Sequence, residues 1–183
     1  MSDVFERVVE LLDSTCVKQF ESMHCEIRSL EDSSFESDDS SFSVSIDCHS
    51  DDIKLTLILS ATKGFLLNTM PIIGGQRLDS TPFQKDWCNE LANRFLGRLK
   101  NKLLDHGCSL KMGLPLMLDS NSGQSKINSA DFLASRVFEI VGSQEDSQIQ
   151  CSLFIDLLNT EMQLDDYEDE DEDWFDESEL QHL

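Results

Sequence analysis

The sequence predicts an α+β domain in which two long helices pack on a mostly antiparallel sheet. Two long segments carry apolar residues at helical spacing, and two other regions alternate apolar and polar residues on both sides of a short polar turn. Runs of strands, rather than single strands, separate the helices, which favours an antiparallel sheet over a doubly wound one.

The first helix is predicted over residues 3–24, behind a Ser2 that can cap its N-terminus. Its apolar face belongs in the core. The residues that recur there at helical spacing are Val4, Val8, Leu11, Leu12, Thr15 and Phe20. A short strand over 26–30 and a loop rich in Ser and Asp over 31–40 are expected to follow.

Two hairpins are predicted from alternating patterns. The first runs from Phe42 to Leu59 around a polar turn at Ser50 to Asp52, and the second joins residues 134–141 to 148–157. The other predicted elements are a short helix over 62–69, a turn over 71–75 and a strand over 108–117.

The segment from Thr81 to Gly107 predicts the second long helix, of about seven turns. Thr81 and Gln84 have the spacing of a capping box, Pro82 suits the first helical position, and Gly107 marks the end. One half of the helical wheel is apolar and accounts for the core-facing side: Trp87, Cys88, Leu91, Ala92, Phe95, Leu96, Leu99 and Leu103.

Opposite that apolar half, Asp86, Glu90, Asn93 and Gly97 share one stripe. Asn and Gly both disfavour a helix interior, Gly by about 1 kcal/mol relative to Ala, and a solvated surface requires neither. Glu90 supplies a fixed charge, Asn93 an amide that donates and accepts, and Gly97 room for the backbone of a partner. The stripe therefore predicts a docking surface, and an ordinary solvated face with an unfavourable Gly is the alternative.

The net charge of −22 is concentrated in two segments of the 183-residue chain. Asp165 to Glu179 holds 11 acids and no base, and Glu31 to Asp39 holds 5 acids and no base. The remainder has 20 acids against 14 bases, about −6, which is ordinary for a folded domain. This acidity argues against direct binding of nucleic acid, because the phosphates would be repelled.

The charge pattern predicts one domain over residues 1–164 and an acidic tail over 165–183. The tail has too few apolar residues to fold alone and is expected to be flexible or folded back, with Trp174 as its most informative residue. No signal peptide or membrane span is evident, so a soluble, cytoplasmic protein is expected.

The six cysteines are scattered along the chain without close pairing, which suits reduced, buried thiols. The nearby His and Cys residues do not have the usual ligand spacing, so no metal site is predicted. No phosphate-binding Gly-rich loop or nucleophile motif is present either.

The run Asp86-x-x-x-Glu90-x-x-Asn93-x-x-x-Gly97, continuing through Gly107 to Leu114-Pro115, resembles the signature of the CheC, CheX and FliY family of chemotaxis phosphatases. The order of elements over residues 1–158 is more loosely similar to that family. The resemblance implies a CheC-like fold of two halves, each a helix followed by strands. Because the first helix lacks a Glu-x-x-Asn motif, one site per chain is expected, as in CheX-type members.

The resemblance also implies an activity, hydrolysis of the aspartyl phosphate on a phosphorylated response-regulator receiver domain of the CheY type. By that likeness Glu90 and Asn93 are the catalytic pair: Asn93 would orient the attacking water and Glu90 would pair with the receiver lysine. Asp86, Arg94 and Gly97 would contact the partner. The receiver would carry the magnesium ion, so this chain is expected to need no cofactor. A homodimer through sheet edges is also implied.

Two residues depart from the family pattern: Arg94 stands where an apolar residue is usual, and Leu96 where a small one is common. A non-catalytic receiver-binding module of two-component signalling is therefore the alternative function. A third hypothesis is an acidic mimic of nucleic acid. It requires the 165–179 segment and a steep dependence on ionic strength, so a deletion of that segment without effect excludes it.

Overall fold

The computed structural model describes residues 3–30, 35, 41–72, 79–118, 132–143 and 146–166. The elements in these ranges are α1 (Asp3–Glu21), β1 (Ile27–Ser29), β2 (Phe42–His49), β3 (Ile53–Ala61), α2 (Lys63–Thr69), α3 (Thr81–Asp105), β4 (Lys111–Met112), β5 (Leu116–Leu118), β6 (Phe132–Ile140) and β7 (Gln148–Leu157). Most of the predicted acidic loop, part of the turn at 71–75, and the tail from 167 onward with Trp174 lie outside the described residues.

The seven described strands form one sheet in the order β1-β6-β7-β3-β2-β4, with β5 also paired to β2. Every pairing is antiparallel. The fold has two halves, one from α1 to β3 and one from α3 to β7, and they exchange their first strands. Strand β1 pairs with β6 of the second half, and β4 and β5 pair with β2 of the first. The central β3 and β7 then join the halves along their whole length. The predicted α+β class is confirmed.

Helix α1 ends at Glu21, three residues before the predicted end. The chain turns there because His24 takes a φ of 54°, and the Cys25 N–H donates to the Phe20 carbonyl at 3.2 Å. Such left-handed residues close helix ends by satisfying the last carbonyls. None of the helices that the structure describes has both the length and the apolar content needed to cross a bilayer.

The predicted capping box of α3 is wrong. The helix begins one residue earlier, with Ser80 as an extended N-cap whose side chain makes no capping hydrogen bond. Gln84 is buried, and its Nε2 donates to Asp79 Oδ1 at 2.7 Å instead of reaching back to the cap. Asp79 also lies 3.2 Å from Lys63 Nζ, so a link to α2 replaces the local cap.

The single strand predicted over 108–117 is also wrong, because the structure breaks it into β4 and β5. The pairing advances by four residues on this edge, from Met112 to Leu116, but by only three on β2, from Cys48 to Ser45. One extra residue therefore forms a bulge. The Gly113 N–H donates to the Asp47 carbonyl at 2.8 Å. A Cβ at Gly113 would lie 3.3 Å from that oxygen, so the close approach favours glycine.

The core lies between one face of the sheet and the helices α1 and α3. Phe20 stands at the junction of all layers, with ring centroids 6.1 Å from Phe65 on α2, 5.4 Å from Phe95 on α3 and 5.0 Å from Phe138 on β6. All six cysteines are free, and all but Cys25 are buried. Burial raises the pKa of the Cys88 thiol to about 12, which keeps it protonated and unreactive near neutral pH.

Candidate docking ridge of helix α3

The candidate site is a ridge on the outer side of α3, called here the α3 ridge and made of Asp86, Glu90, Asn93, Arg94 and Gly97. The opposite side of the helix is anchored in the core by buried Trp87, Leu91, Phe95 and Leu99, among others. The Glu90 and Arg94 side chains are each 46% exposed. Asp86 is exposed, and Asn93 and Gly97 are partly exposed. The predicted stripe therefore faces solvent.

Glu90 and Asn93 lie one helical turn apart and project from neighbouring positions of the ridge. Within the described ranges, no hydrogen bond occupies the Asn93 side chain. Its amide therefore has an open donor and an open acceptor, which is what the alignment of a water molecule requires. The Glu90 carboxylate accepts a hydrogen bond from Arg94, and the Asn93 amide is neutral, so the pair is suited to positioning reactants.

Arg94 does not project freely from the ridge. Its Nε donates to Glu90 Oε1 at 2.7 Å, and its Cζ lies 5.1 Å from the centroid of the Trp87 ring. Trp87 is fixed in turn, because its Nε1 donates to Thr69 Oγ1 at 3.0 Å. Thr69 belongs to α2 and donates to the Phe65 carbonyl at 2.9 Å. A continuous series of contacts thus holds the Glu90 carboxylate to α2.

Gly97 has open space around it. A Cβ built on Gly97 would meet nothing within 4 Å apart from its own helix. Packing against the residues that the structure describes therefore does not explain the glycine, although Gly costs a helix interior about 1 kcal/mol relative to Ala. This open space is compatible with both alternatives given for the stripe, a docking surface and an ordinary solvated face with an unfavourable Gly.

Several solved structures share this architecture, including the three that follow. CheX from Vibrio vulnificus matches with a TM-score of 0.62 and 13% identity, over 81% of this chain and 96% of that one. A CheC-like superfamily protein from Shewanella sp. PV-4 matches with a TM-score of 0.59 and 15% identity, over 81% and 97%. The third, a CheX-CheY-BeF3-Mg2+ complex from Borrelia burgdorferi, matches with a TM-score of 0.59 and 12% identity, over 81% and 97%.

The chain has a CheX-like fold. The resemblance that the α3 motif predicted is thus confirmed for CheX and CheC-like proteins at the level of the fold. No protein-family model matches the sequence. No curated protein sequence matches it either.

In this CheX-like fold, Leu96 is fully buried and belongs to the core face of α3. The departure from a small residue at that position therefore changes packing beneath the ridge rather than the ridge itself. Two apolar side chains stand in solvent near the two ends of α3, Phe83 at 46% exposure and Leu104 at 54%. They extend the surface that a partner could cover.

The sequence prediction missed Trp87 and Thr69 as supports of the ridge. Trp87 was assigned only to the core, yet its ring also carries the Arg94 guanidinium. Trp87 and Arg94 are seven residues apart, which is about two helical turns, and this spacing was the signal in the sequence that could have predicted their contact. Among the described residues, no group of three or more His, Cys, Asp or Glu side chains is arranged to hold a metal ion.

Proposed function

We propose that this chain is a phosphatase that hydrolyses the aspartyl phosphate of a CheY-type response-regulator receiver domain in chemotaxis or another two-component pathway. The observation that carries the proposal is the open amide of Asn93 beside Glu90 on the exposed side of a helix whose other face is buried in the core. The CheX-like fold supports it, since a solved CheX of this architecture was crystallised with CheY, BeF3 and Mg2+.

In the proposed reaction, Asn93 aligns a water molecule with the phosphorus of the receiver's phosphoaspartate. The water oxygen forms a bond to phosphorus, the bond to the aspartyl oxygen breaks, and the carboxylate leaves as the water's protons pass to phosphate and solvent. Phosphoryl transfer of this kind depends chiefly on positioning and charge stabilisation, so a neutral amide can serve without a basic side chain. The receiver supplies the magnesium ion.

Glu90 can pair with the receiver's lysine without leaving Arg94. The hydrogen bond from Arg94 uses only Oε1 of Glu90, and a carboxylate offers a second oxygen and about four lone-pair sites. An exposed i,i+4 ion pair of this kind contributes about 0.3 to 0.5 kcal/mol, so breaking the Glu90–Arg94 pair would also cost little free energy.

The test is the lifetime of a phosphorylated receiver. CheY-type receivers are phosphorylated with a small phosphodonor, and release of phosphate is followed with and without the purified chain. The proposal expects faster release at substoichiometric amounts of the chain, because a catalyst turns over. Binding that leaves the phosphate lifetime unchanged would support the non-catalytic receiver-binding module instead.

Gly97 offers a variant that separates folding from docking. Gly97→Ala is expected to raise the free energy of unfolding by up to about 1 kcal/mol, because alanine favours the helix and has room there. Gly97→Gln has a similar helix propensity but adds a side chain where we propose that the receiver approaches. Urea unfolding and receiver titration check the two effects. A Gly97→Gln variant that binds the receiver as well as Gly97→Ala does would remove Gly97 from the interface.

We further propose that the chain forms a homodimer through the edge of β6. Strand β1 pairs with only the last three residues of β6, from Phe138 to Ile140. The Ala134 to Arg136 backbone thus lies on an edge that no described strand covers, and such edges pair readily with a second chain. Sedimentation equilibrium measures the mass, and Ser135→Pro is expected to shift it toward the monomer. A monomeric parent chain at micromolar concentration would contradict this proposal.

A further inference from the structure

Arg94 is held in place, yet most of its hydrogen-bonding capacity is unused. Its Nε bonds to Glu90, and its guanidinium lies over Trp87. Among the described residues, no hydrogen bond involves Nη1 or Nη2, and the side chain is 46% exposed. Four N–H donors of a permanently charged group are therefore available to a partner that covers the ridge.

A guanidinium fixed in this way is suited to bind an anionic oxygen. Arg presents a rigid fork that matches carboxylate geometry, and less side-chain freedom is lost on binding when the fork is already oriented. The Trp87 ring supplies a cation–π contact, and Trp87 is itself bonded to Thr69. The contacts with Glu90 and Trp87 therefore supply part of the ordering that binding requires.

The position of Arg94 decides which anion it meets. Successive helix residues diverge by roughly 100°, and Glu90 lies between Asn93 and Arg94 around the helix. A phosphoryl group placed at Asn93 is thus roughly 100° around the helix from Arg94, whose Nε is bonded to Glu90. The charges of Glu90 and Arg94 stand side by side, negative then positive. Their complement on a partner is a cation with a carboxylate beside it.

We propose that Arg94 is a specificity-determining residue that binds a carboxylate on the receiver surface, next to the lysine that Glu90 meets. This inference rests on the proposed function and adds to it the chemical feature by which one receiver is chosen over another. Trp87 and Glu90 act as positioning residues for the guanidinium. A receiver that offers a basic or apolar residue at that place is rejected, because its approach desolvates the Nη1 and Nη2 donors of Arg94 without giving them an acceptor.

The experiment compares the affinity of a CheY-type receiver for the parent chain, Arg94→Glu and Lys85→Glu. Beryllofluoride-activated and unactivated receivers are both titrated at 0.15 M salt. Arg94→Glu is expected to weaken binding about tenfold or more in both receiver states, because a charge-assisted pair becomes a repulsion. Lys85→Glu makes the same charge change on the other flank of α3 and is expected to stay within about twofold.

Charge-reversal substitutions on the receiver identify the carboxylate that Arg94 binds. Acidic residues around the receiver's phosphorylation site are changed to Lys one at a time, and one of them is expected to restore binding to Arg94→Glu while weakening the parent. In turnover assays Arg94→Gln, which removes the charge without placing a second carboxylate beside Glu90, should raise KM by a larger factor than it lowers kcat. That split separates docking from chemistry.

Three results would overturn the inference. The first is a loss confined to the beryllofluoride-loaded receiver, which would place Arg94 on the phosphoryl group. The second is equal losses in Arg94→Glu and Lys85→Glu, and the third is unchanged binding by Arg94→Glu. If the parent chain neither binds nor dephosphorylates any CheY-type receiver, the proposed function itself fails. Far-UV circular dichroism confirms that each variant keeps the fold.

Discussion

Asn93→Ala is expected to reduce the acceleration of receiver dephosphorylation by roughly 100-fold, as removal of one positioned hydrogen-bonding group at a reacting centre commonly does. The reason is that the side chain stands open on the α3 ridge with no bond inside the described domain, so its loss affects a bound water rather than the fold. The measurement is single-turnover phosphate release at saturating chain.

Asn101→Ala is the matched control for this substitution. Asn101 is an exposed amide two helical turns further along α3, so its removal changes the helix in the same way. We expect Asn101→Ala to keep most of the activity and both variants to unfold at or slightly above the parent's midpoint, because Ala favours a helix interior over Asn. An Asn93→Ala variant as active as the parent would refute the proposed mechanism. Lost binding with normal single-turnover kinetics would make Asn93 a docking residue only.

Phe20→Ala is expected to lower the free energy of unfolding by about 3 to 5 kcal/mol, the usual cost of truncating a fully buried Phe. Phe20 connects three helices and the sheet through edge-on or tilted contacts with Phe65, Phe95 and Phe138. Such aromatic pairs add to the lost burial. Urea unfolding followed by circular dichroism measures the change.

Phe83→Ala provides the comparison, because Phe83 is 46% exposed on the same fold and should cost no more than about 0.5 kcal/mol. A loss of 3 to 5 kcal/mol is a large part of a typical domain's stability, so Phe20→Leu serves as a milder variant at about 1 kcal/mol. A Phe20→Ala cost close to that of Phe83→Ala would show that the three-helix junction is loosely packed.

The sequence predicted the elements that repeat a local pattern. The helical spacing that begins at Val4 and the apolar half-wheel around Leu91 place α1 and α3 on the core because each side chain's direction follows from its position in a helix. The same argument placed Asp86, Glu90, Asn93 and Gly97 on one exposed stripe. The alternating residues of both hairpins likewise gave β2, β3, β6 and β7 to within about two residues.

The start of α3 and the break between β4 and β5 could not be predicted in this way. Gln84 suits a capping box by sequence, but its burial and its bond to Asp79 remove it from that role. The sequence places Gly113 inside a continuous strand, but in the structure its N–H donates to the Asp47 carbonyl of β2 at the bulge between β4 and β5. In both cases the deciding partner lies on another element or outside the local motif.

By itself, then, the amino-acid order determined the fold class, the two long helices and the stripe that α3 turns to solvent, because residues three or four apart fix those features. The tertiary structure alone decided the exchange of first strands between the halves and the mounting of Glu90 and Arg94 on Trp87 and Thr69. Trp87 and Thr69 are 18 residues apart in the chain, and only the packing of α2 against α3 brings them within a hydrogen bond.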